Sequence, residues 1–469
     1  MRLSVLLVLA LSVGPVWAQE SQLQADFRHE GEHVKESCGD PGRKTIATCP
    51  IELATDWPLH IALGNLAPQN GFGFGAAFVE HYTPNEQWRL SWNADGVRAL
   101  GGSWRAGAYM KIVHIPRATI GVVSSPGTAS SINTVARREY PVMSVYTETT
   151  SLEKLFFSGL GSATTKSGKS VFGMRQTIVG ANAILPIEKP VVARQLRVSL
   201  LGGVNGRLIT LRGNRSESVP SIEQLYDESR APGLSRQPGF LQLEEGVRLQ
   251  PAWFGGHLQT NYVVDFEQFF ASTESRSSFH RWTVDLRHDF PLYGNSPSSR
   301  RKATNGPDEC SEGPSSNTCP PVAISRNREG AVGVRFLITA SAASAGSTVP
   351  FYLQRTLGGS DINGDRLLAS YEDYRFRGPK LVVLQETFEH SIWGPIGFSF
   401  LADQGKVAVE GESLDLNNLK HSFAAGVTLR AGGFPVVFLS YAWGGSEGHH
   451  FIGTMDSALL GGSARPSLY

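Results

Sequence analysis

The feature that most limits what this chain can fold into is a two-residue alternation of apolar and polar side chains, repeated from Pro58 to Met455. In Arg281–Pro291, Trp282, Val284, Leu286 and Phe290 share one face, while Arg281, Thr283, Asp285, Arg287 and Asp289 share the other. In Leu258–Phe270, Leu258, Tyr262, Val264 and Phe266 oppose Gln259, Asn261, Asp265 and Glu267. Successive side chains take opposite faces in extended strands, so these are strands with one charged and one apolar side. A charged face on successive strands has to line water, and the apolar face then meets lipid or a second sheet. Runs of about ten residues or more are longer than a soluble sandwich ordinarily uses but suit a bilayer. Backbone groups in hydrocarbon must be paired internally, which closes such a sheet into a barrel.

With Leu59–Leu66 as an opening strand, about sixteen such segments can be marked, an even number as closed bacterial barrels prefer. They run from Gly71–Tyr82 and Gln87–Arg98 at one end to Phe434–Trp443 and His449–Met455 at the other, separated by Gly-, Pro-, Ser- and Asn-rich turns. Three connections are long and polar: Arg117–Arg138, Gly213–Gln237 and Tyr293–Arg328. The fold expected is all-β, a membrane-spanning antiparallel barrel of about sixteen strands. It occupies residues 58–456, preceded by a short segment at 19–57 and followed by a tail at 457–469.

Composition agrees. Only 18% of residues are charged, against about a quarter in soluble chains, while glycine numbers 51 and aromatics reach 10%. The mean hydropathy of −0.15 is what alternate lipid- and water-facing residues average to. A net charge of +1 argues against a nucleic-acid surface. Residues 1–18 read as a secretory signal: Arg2, an apolar run from Leu3 to Val13, and a small-x-small site at Val16-Trp17-Ala18. In an exported chain, Cys38 with Cys49 and Cys310 with Cys319 are expected to form two local disulfides, each closing a polar loop. Together these place the chain in the outer membrane, in contact with its lipid.

One stretch breaks the hairpin rhythm. Val349–Gly378 opens through Pro350-Phe351-Tyr352, turns at Gly358-Gly359, and continues dense in Arg, Asp and Tyr before two strands lead to Asp403. It is too polar for a core, and its natural place is the inside of a wide barrel.

Three pieces carry a resemblance. They are Leu155-Phe-Phe-Ser-Gly-Leu-Gly161 followed by Ser170–Pro186; Val349–Tyr352 leading to Gly358-Gly359 and Tyr374–Gly378; and Phe400-Leu-Ala-Asp403-Gln-Gly405-Lys-Val407. In order and spacing the chain from Gly71 to Met455 resembles the barrel domain of BamA/TamA-type outer-membrane assembly factors, the bacterial surface antigen family. The resemblance implies a loop whose Arg-Gly-aromatic tip tucks inside the barrel and pairs with the Asp of the later strand. Here that tip falls at Leu368–Tyr371; the aromatic is Tyr371, but Ala369 and Ser370 stand where Arg and Gly are expected. The guanidinium reaching Asp403 is therefore expected from Arg366 or Arg375, with Phe376 and Gly405 completing the loop-to-wall contact. The family's function implies client polypeptides, polypeptide or lipid translocation, and a separate periplasmic partner, since fewer than about forty mature residues precede the first strand. The alternative is a passive or structural pore.

Other chemistry reads weakly. His449 and His450, near Glu447, take opposite faces of a strand, and His288 and Asp289 do likewise, so neither makes a metal site or a catalytic pair. Asp361, Asn363 and Asp365 have calcium-ligand types without the full loop spacing, which favours an Asx-rich turn. No cofactor and no enzymatic activity are expected.

Overall fold

In the computed structural model the described residues are 59–85, 87–115, 140–187, 196–214, 218–253, 258–293, 330–393, 396–431, 434–455 and 466–469. The segments 1–18 and 19–57 and all four cysteines lie outside them.

The described residues form eighteen strands: β1 (Leu59–Asn65), β2 (Phe72–Asn85), β3 (Trp88–Ala99), β4 (Trp104–His114), β5 (Val142–Phe157), β6 (Ser170–Pro186), β7 (Leu196–Gly213), β8 (Phe240–Trp253), β9 (Leu258–Ala271), β10 (Phe279–Tyr293), β11 (Gly330–Ala343), β12 (Arg355–Leu357), β13 (Phe376–Gly378), β14 (Lys380–Trp393), β15 (Ile396–Ala408), β16 (Lys420–Ala431), β17 (Phe434–Gly445) and β18 (Gly448–Met455). Sixteen of them form one antiparallel meander in chain order, and β12 pairs with β13 in a small separate hairpin. The sixteen strands expected from the alternation are the sixteen of the large sheet. β5 runs on to Phe157, because its last residues bury Leu155, Phe156 and Phe157 and so lose the alternation.

The hairpin lies on the concave side of the sheet, since it bonds to the β5–β6 loop through Gly161 and to β15 through Asp403, two well-separated places in the strand order. A sheet reached at both places by one short hairpin has curled round it. Outward positions carry Val204 and Leu208 on β7, Val264 and Phe270 on β9, Trp282 and Phe290 on β10, and Leu439 on β17, all exposed. This is the apolar band that a bilayer-facing wall carries.

Inward positions form a hydrogen-bonded chain across seven consecutive strands. Tyr146 on β5 donates to Asn205 Oδ1 on β7 at 2.6 Å, and Asn205 and Arg207 both donate to Gln242 Oε1 on β8, at 3.2 and 2.6 Å. Gln242 donates to Glu267 on β9 at 2.6 Å. Arg281 on β10 donates to Glu267 at 3.3 Å, to Ser341 Oγ on β11 at 3.2 Å, and to the Leu353 carbonyl at the root of the hairpin. Gln176 on β6, with its amide turned to satisfy both neighbours, accepts from Arg207 at 2.7 Å. Arg207 and Arg281 are fully buried, and such charges persist only when paired and hydrogen-bonded.

The outer band gives a direct test. Val204→Arg, mid-strand on β7, should destabilise the barrel in vesicles by about 2–4 kcal/mol, read from the urea midpoint. The same charge at exposed Leu100, in the β3–β4 turn, should cost about 0–1 kcal/mol.

Candidate functional site

The three segments that carry the resemblance meet. Gly161 donates its N–H to the Arg377 carbonyl at 2.8 Å, joining the β5–β6 loop to β13. Ser162 Oγ donates to the Val407 carbonyl at 2.8 Å and accepts from the Val407 N–H at 2.9 Å, joining the same loop to β15. At the hairpin root, Phe351 is buried against Phe157 and Phe172, with ring centroids 4.9 and 5.3 Å apart, and Arg377 donates to its carbonyl at 2.8 Å.

Gly358 and Gly359 let the hairpin fold back on itself. Their φ values are +110° and +62°, and a Cβ on Gly358 would lie 2.6 Å from Arg375 Cβ. Neither the backbone nor the space admits another residue. Gly405 serves differently: it lies under Leu357, so the wall is flat where the hairpin rests.

The tip docks where the sequence places it, but not through a guanidinium. Arg366 and Arg375 were expected to reach Asp403, and among the described residues no ion pair within 4.0 Å links either of them to it. The Leu368 N–H donates to Asp403 Oδ2 at 2.9 Å, and Gln385 Nε2 donates to Asp403 Oδ1 at 2.9 Å and to the Arg366 carbonyl at 2.9 Å. One strand over, the Ser370 N–H donates to Ser422 Oγ at 2.8 Å. Gln385, Asp403 and Ser422 are register partners on β14, β15 and β16, so a single inward row of polar side chains receives the main chain of the tip. Leu368 adopts φ +58°, a turn that aims its N–H at the wall. The Arg366 guanidinium, near enough to Asp403 to attract it without pairing directly, rests 4.4 Å from the Phe438 ring centroid, a favourable cation–π contact.

Arg375 is held at a second anchor. It forks onto Glu447 in the β17–β18 turn, with Nε and Nη2 donating at 2.7–2.9 Å, and donates to Thr164 Oγ1 at 2.8 Å and to the Thr164 carbonyl at 2.6 Å. A planar fork on a carboxylate fixes direction as well as distance. Beside it, Gly445 donates to Ser370 Oγ at 3.0 Å, and a Cβ on Gly445 would lie 2.7 Å from the Tyr371 ring. Tyr371 in turn packs edge-on against Phe376 at 5.2 Å. Glu447, read in sequence only beside the two histidines, is thus a hairpin anchor; its one signal is a charged residue in a glycine-flanked turn.

Asp361 Oδ1 accepts the N–H groups of Asn363 and Asp365 at 2.9 and 2.8 Å, the bonds of an Asx turn. Burial, and then the neighbouring Asp365, push the Asp361 carboxyl up to about 7. A cavity of about 1400 Å³ lies alongside, lined by both signs of charge, including Arg105, Arg335, Glu148 and Asp373.

Of the tail expected at 457–469, residues 466–469 are described, and Leu468 and Tyr469 are buried among hairpin residues.

No family model matches the chain, and no curated protein matches it. Among solved structures it is similar to CdiB from Acinetobacter baumannii, at 10% identity over 82% of this chain and 56% of that chain, with a TM-score of 0.46. It is similar to CdiB from Escherichia coli at 9% identity over 82% and 58%, TM-score 0.48. It is also similar to BamA from Haemophilus ducreyi lacking POTRA domains 1-3, at 10% over 85% and 70%, TM-score 0.46. The chain spans little more than half the length of the two CdiB structures. The likeness concerns fold alone.

Two outcomes follow from the geometry. Asp403→Ala strands the buried Leu368 N–H and should cost about 1–3 kcal/mol, with faster hydrogen exchange at residues 368–371. Arg366→Gln should cost less than about 1 kcal/mol, whereas equal effects of the two would restore the guanidinium pairing. For Asp361, the carboxyl rises from an ordinary 3.8 to about 7 on folding, so folding favours the protonated form. Its contribution is fully present below pH about 4 and is lost as pH rises towards about 7. Proteolysis of the hairpin should accelerate over that window, and Asp361→Asn should flatten the dependence.

Proposed function

We propose that this chain is an outer-membrane barrel of the assembly and translocation type, which helps polypeptide clients into or across the membrane with a separate periplasmic partner and performs no catalysis. The observation that carries the reading is the double anchoring of the inward hairpin. Its tip is bonded to Asp403 and Ser422, and its base to Gly161, Thr164 and Glu447. The hairpin therefore braces the β5–β6 loop against β15–β17 across the lumen. A brace of this kind holds the curvature of the wall independently of the bonds between its first and last strands. The strand order ends at β1 and β18, and among the described residues no ladder joins them. In this reading that edge is where a client strand adds, through main-chain pairing that is indifferent to sequence. The sequence resemblance supports the same role.

Reconstitution tests it. Vesicles holding the barrel should accelerate the insertion of an unfolded barrel client over empty vesicles, and Arg375→Ala should remove most of the acceleration while conductance is retained. Large, stable conductance in planar bilayers without any effect on client insertion would replace this reading with that of a passive pore.

A further inference from the structure

The last four residues, Pro466–Tyr469, are seated as a ligand is seated. Tyr469 is 1% exposed and Leu468 8%. The Tyr469 hydroxyl shares a hydrogen bond with Thr356 Oγ1 on β12 at 2.5 Å, and the Arg355 guanidinium lies 4.6 Å from its ring centroid. Both main-chain polar groups of Leu468 are satisfied: its N–H donates to Asn363 Oδ1 at 2.8 Å, and its carbonyl accepts from Gln176 at 3.0 Å. Asn363 Nδ2 donates to Ser467 Oγ at 3.1 Å, so one amide reads two successive residues of the tail.

The partners come from two different parts of the barrel. Thr356 and Asn363 belong to the hairpin, whereas Gln176 is on the wall strand β6 and also holds Arg207 in the interior chain. The slot is thus made by the hairpin facing the wall, and Pro466, Ser467 and Leu468 border the 1400 Å³ cavity. A cavity beside a peptide held by hydrogen bonds and one aromatic slot leaves room for that peptide to leave and return.

We propose that hairpin and wall form a peptide-binding site for a segment of the type Ser-Leu-aromatic, occupied in cis by the chain's own residues 466–469 as a displaceable plug. The site needs an aromatic ring for the Arg355 slot, a hydroxyl for Thr356, and a preceding residue whose N–H and carbonyl meet Asn363 and Gln176. It does not depend on the client-handling role.

The test uses a barrel lacking residues 466–469 and a fluorescent Pro-Ser-Leu-Tyr peptide, read by anisotropy in detergent. The truncated barrel should bind the peptide saturably, and the full chain should bind it at least about tenfold more weakly because the slot is filled. A Pro-Ser-Leu-Ala peptide should bind the truncated barrel at least about tenfold more weakly, as should the tyrosine peptide when Asn363→Ala is added. A truncated barrel that keeps its heat-modifiable folded band yet takes up no peptide overturns the proposal, as does equal binding by truncated and full chains. Should truncation prevent folding, the full chain with a photo-cross-linker at position 467 decides. Coupling to the fragment bearing Asn363 supports the site, and coupling elsewhere removes it.

Discussion

The whole architecture answers to one constraint: a backbone N–H or carbonyl in hydrocarbon has no water to bond to, so each must find a partner in the next strand. The antiparallel meander meets it in the simplest order, each of its sixteen strands pairing with the next, and β11 with β14 where the small hairpin is inserted. Once those bonds are fixed, side chains can only alternate. One half of each strand must be apolar for the bilayer, and the other half is left facing a lumen it has to share. The alternation is therefore a consequence of backbone pairing, and the crowd of polar groups inside is a consequence of the alternation.

That interior is organised in two different ways. From β5 to β11 the wall satisfies itself: Tyr146, Asn205, Arg207, Gln242, Glu267 and Arg281 form one chain of hydrogen bonds between strands. From β14 to β16 the inward row is Gln385, Asp403 and Ser422, whose bonds go to the hairpin instead. The first run bonds largely within the wall, while the second bonds to the hairpin. Arg281, which reaches both Glu267 and the Leu353 carbonyl, joins the two systems.

The strands were legible because period two survives any sequence divergence that keeps a bilayer outside and water inside. The position of the tip was legible too, from spacing to Tyr374-Arg375-Phe376. The bonding at the tip was not, since a main-chain N–H such as that of Leu368 leaves no trace in the residue alphabet. Glu447 was obscured by the histidines next to it, although Arg375 needed a carboxylate once it was buried. The seat of Tyr469 had no local pattern at all; its partners Thr356, Asn363 and Gln176 are far apart in the chain and meet only after the hairpin has folded inward.

The tip residues Ala369 and Ser370 stand where the resembling family's pattern has Arg and Gly, and the surroundings of Ala369 explain why the dock holds without that arginine. Ala369 is buried with Ala424 on β16 and Ala442 on β17, so three methyl groups meet where the tip rests on the wall. A buried Arg–Asp pair would bring a desolvation penalty that its mutual attraction offsets only with good geometry, and a long side chain would lose rotamer freedom on docking. The Leu368 N–H is already fixed by its turn, and its bond to a carboxylate is charge-assisted. The small side chain lets the backbone come close enough to bond, and the close backbone makes the large side chain unnecessary. The small tip residue and the alanines of β16 and β17 thus make one close contact, in which the Asp403 carboxylate is met by a main-chain N–H rather than by a guanidinium.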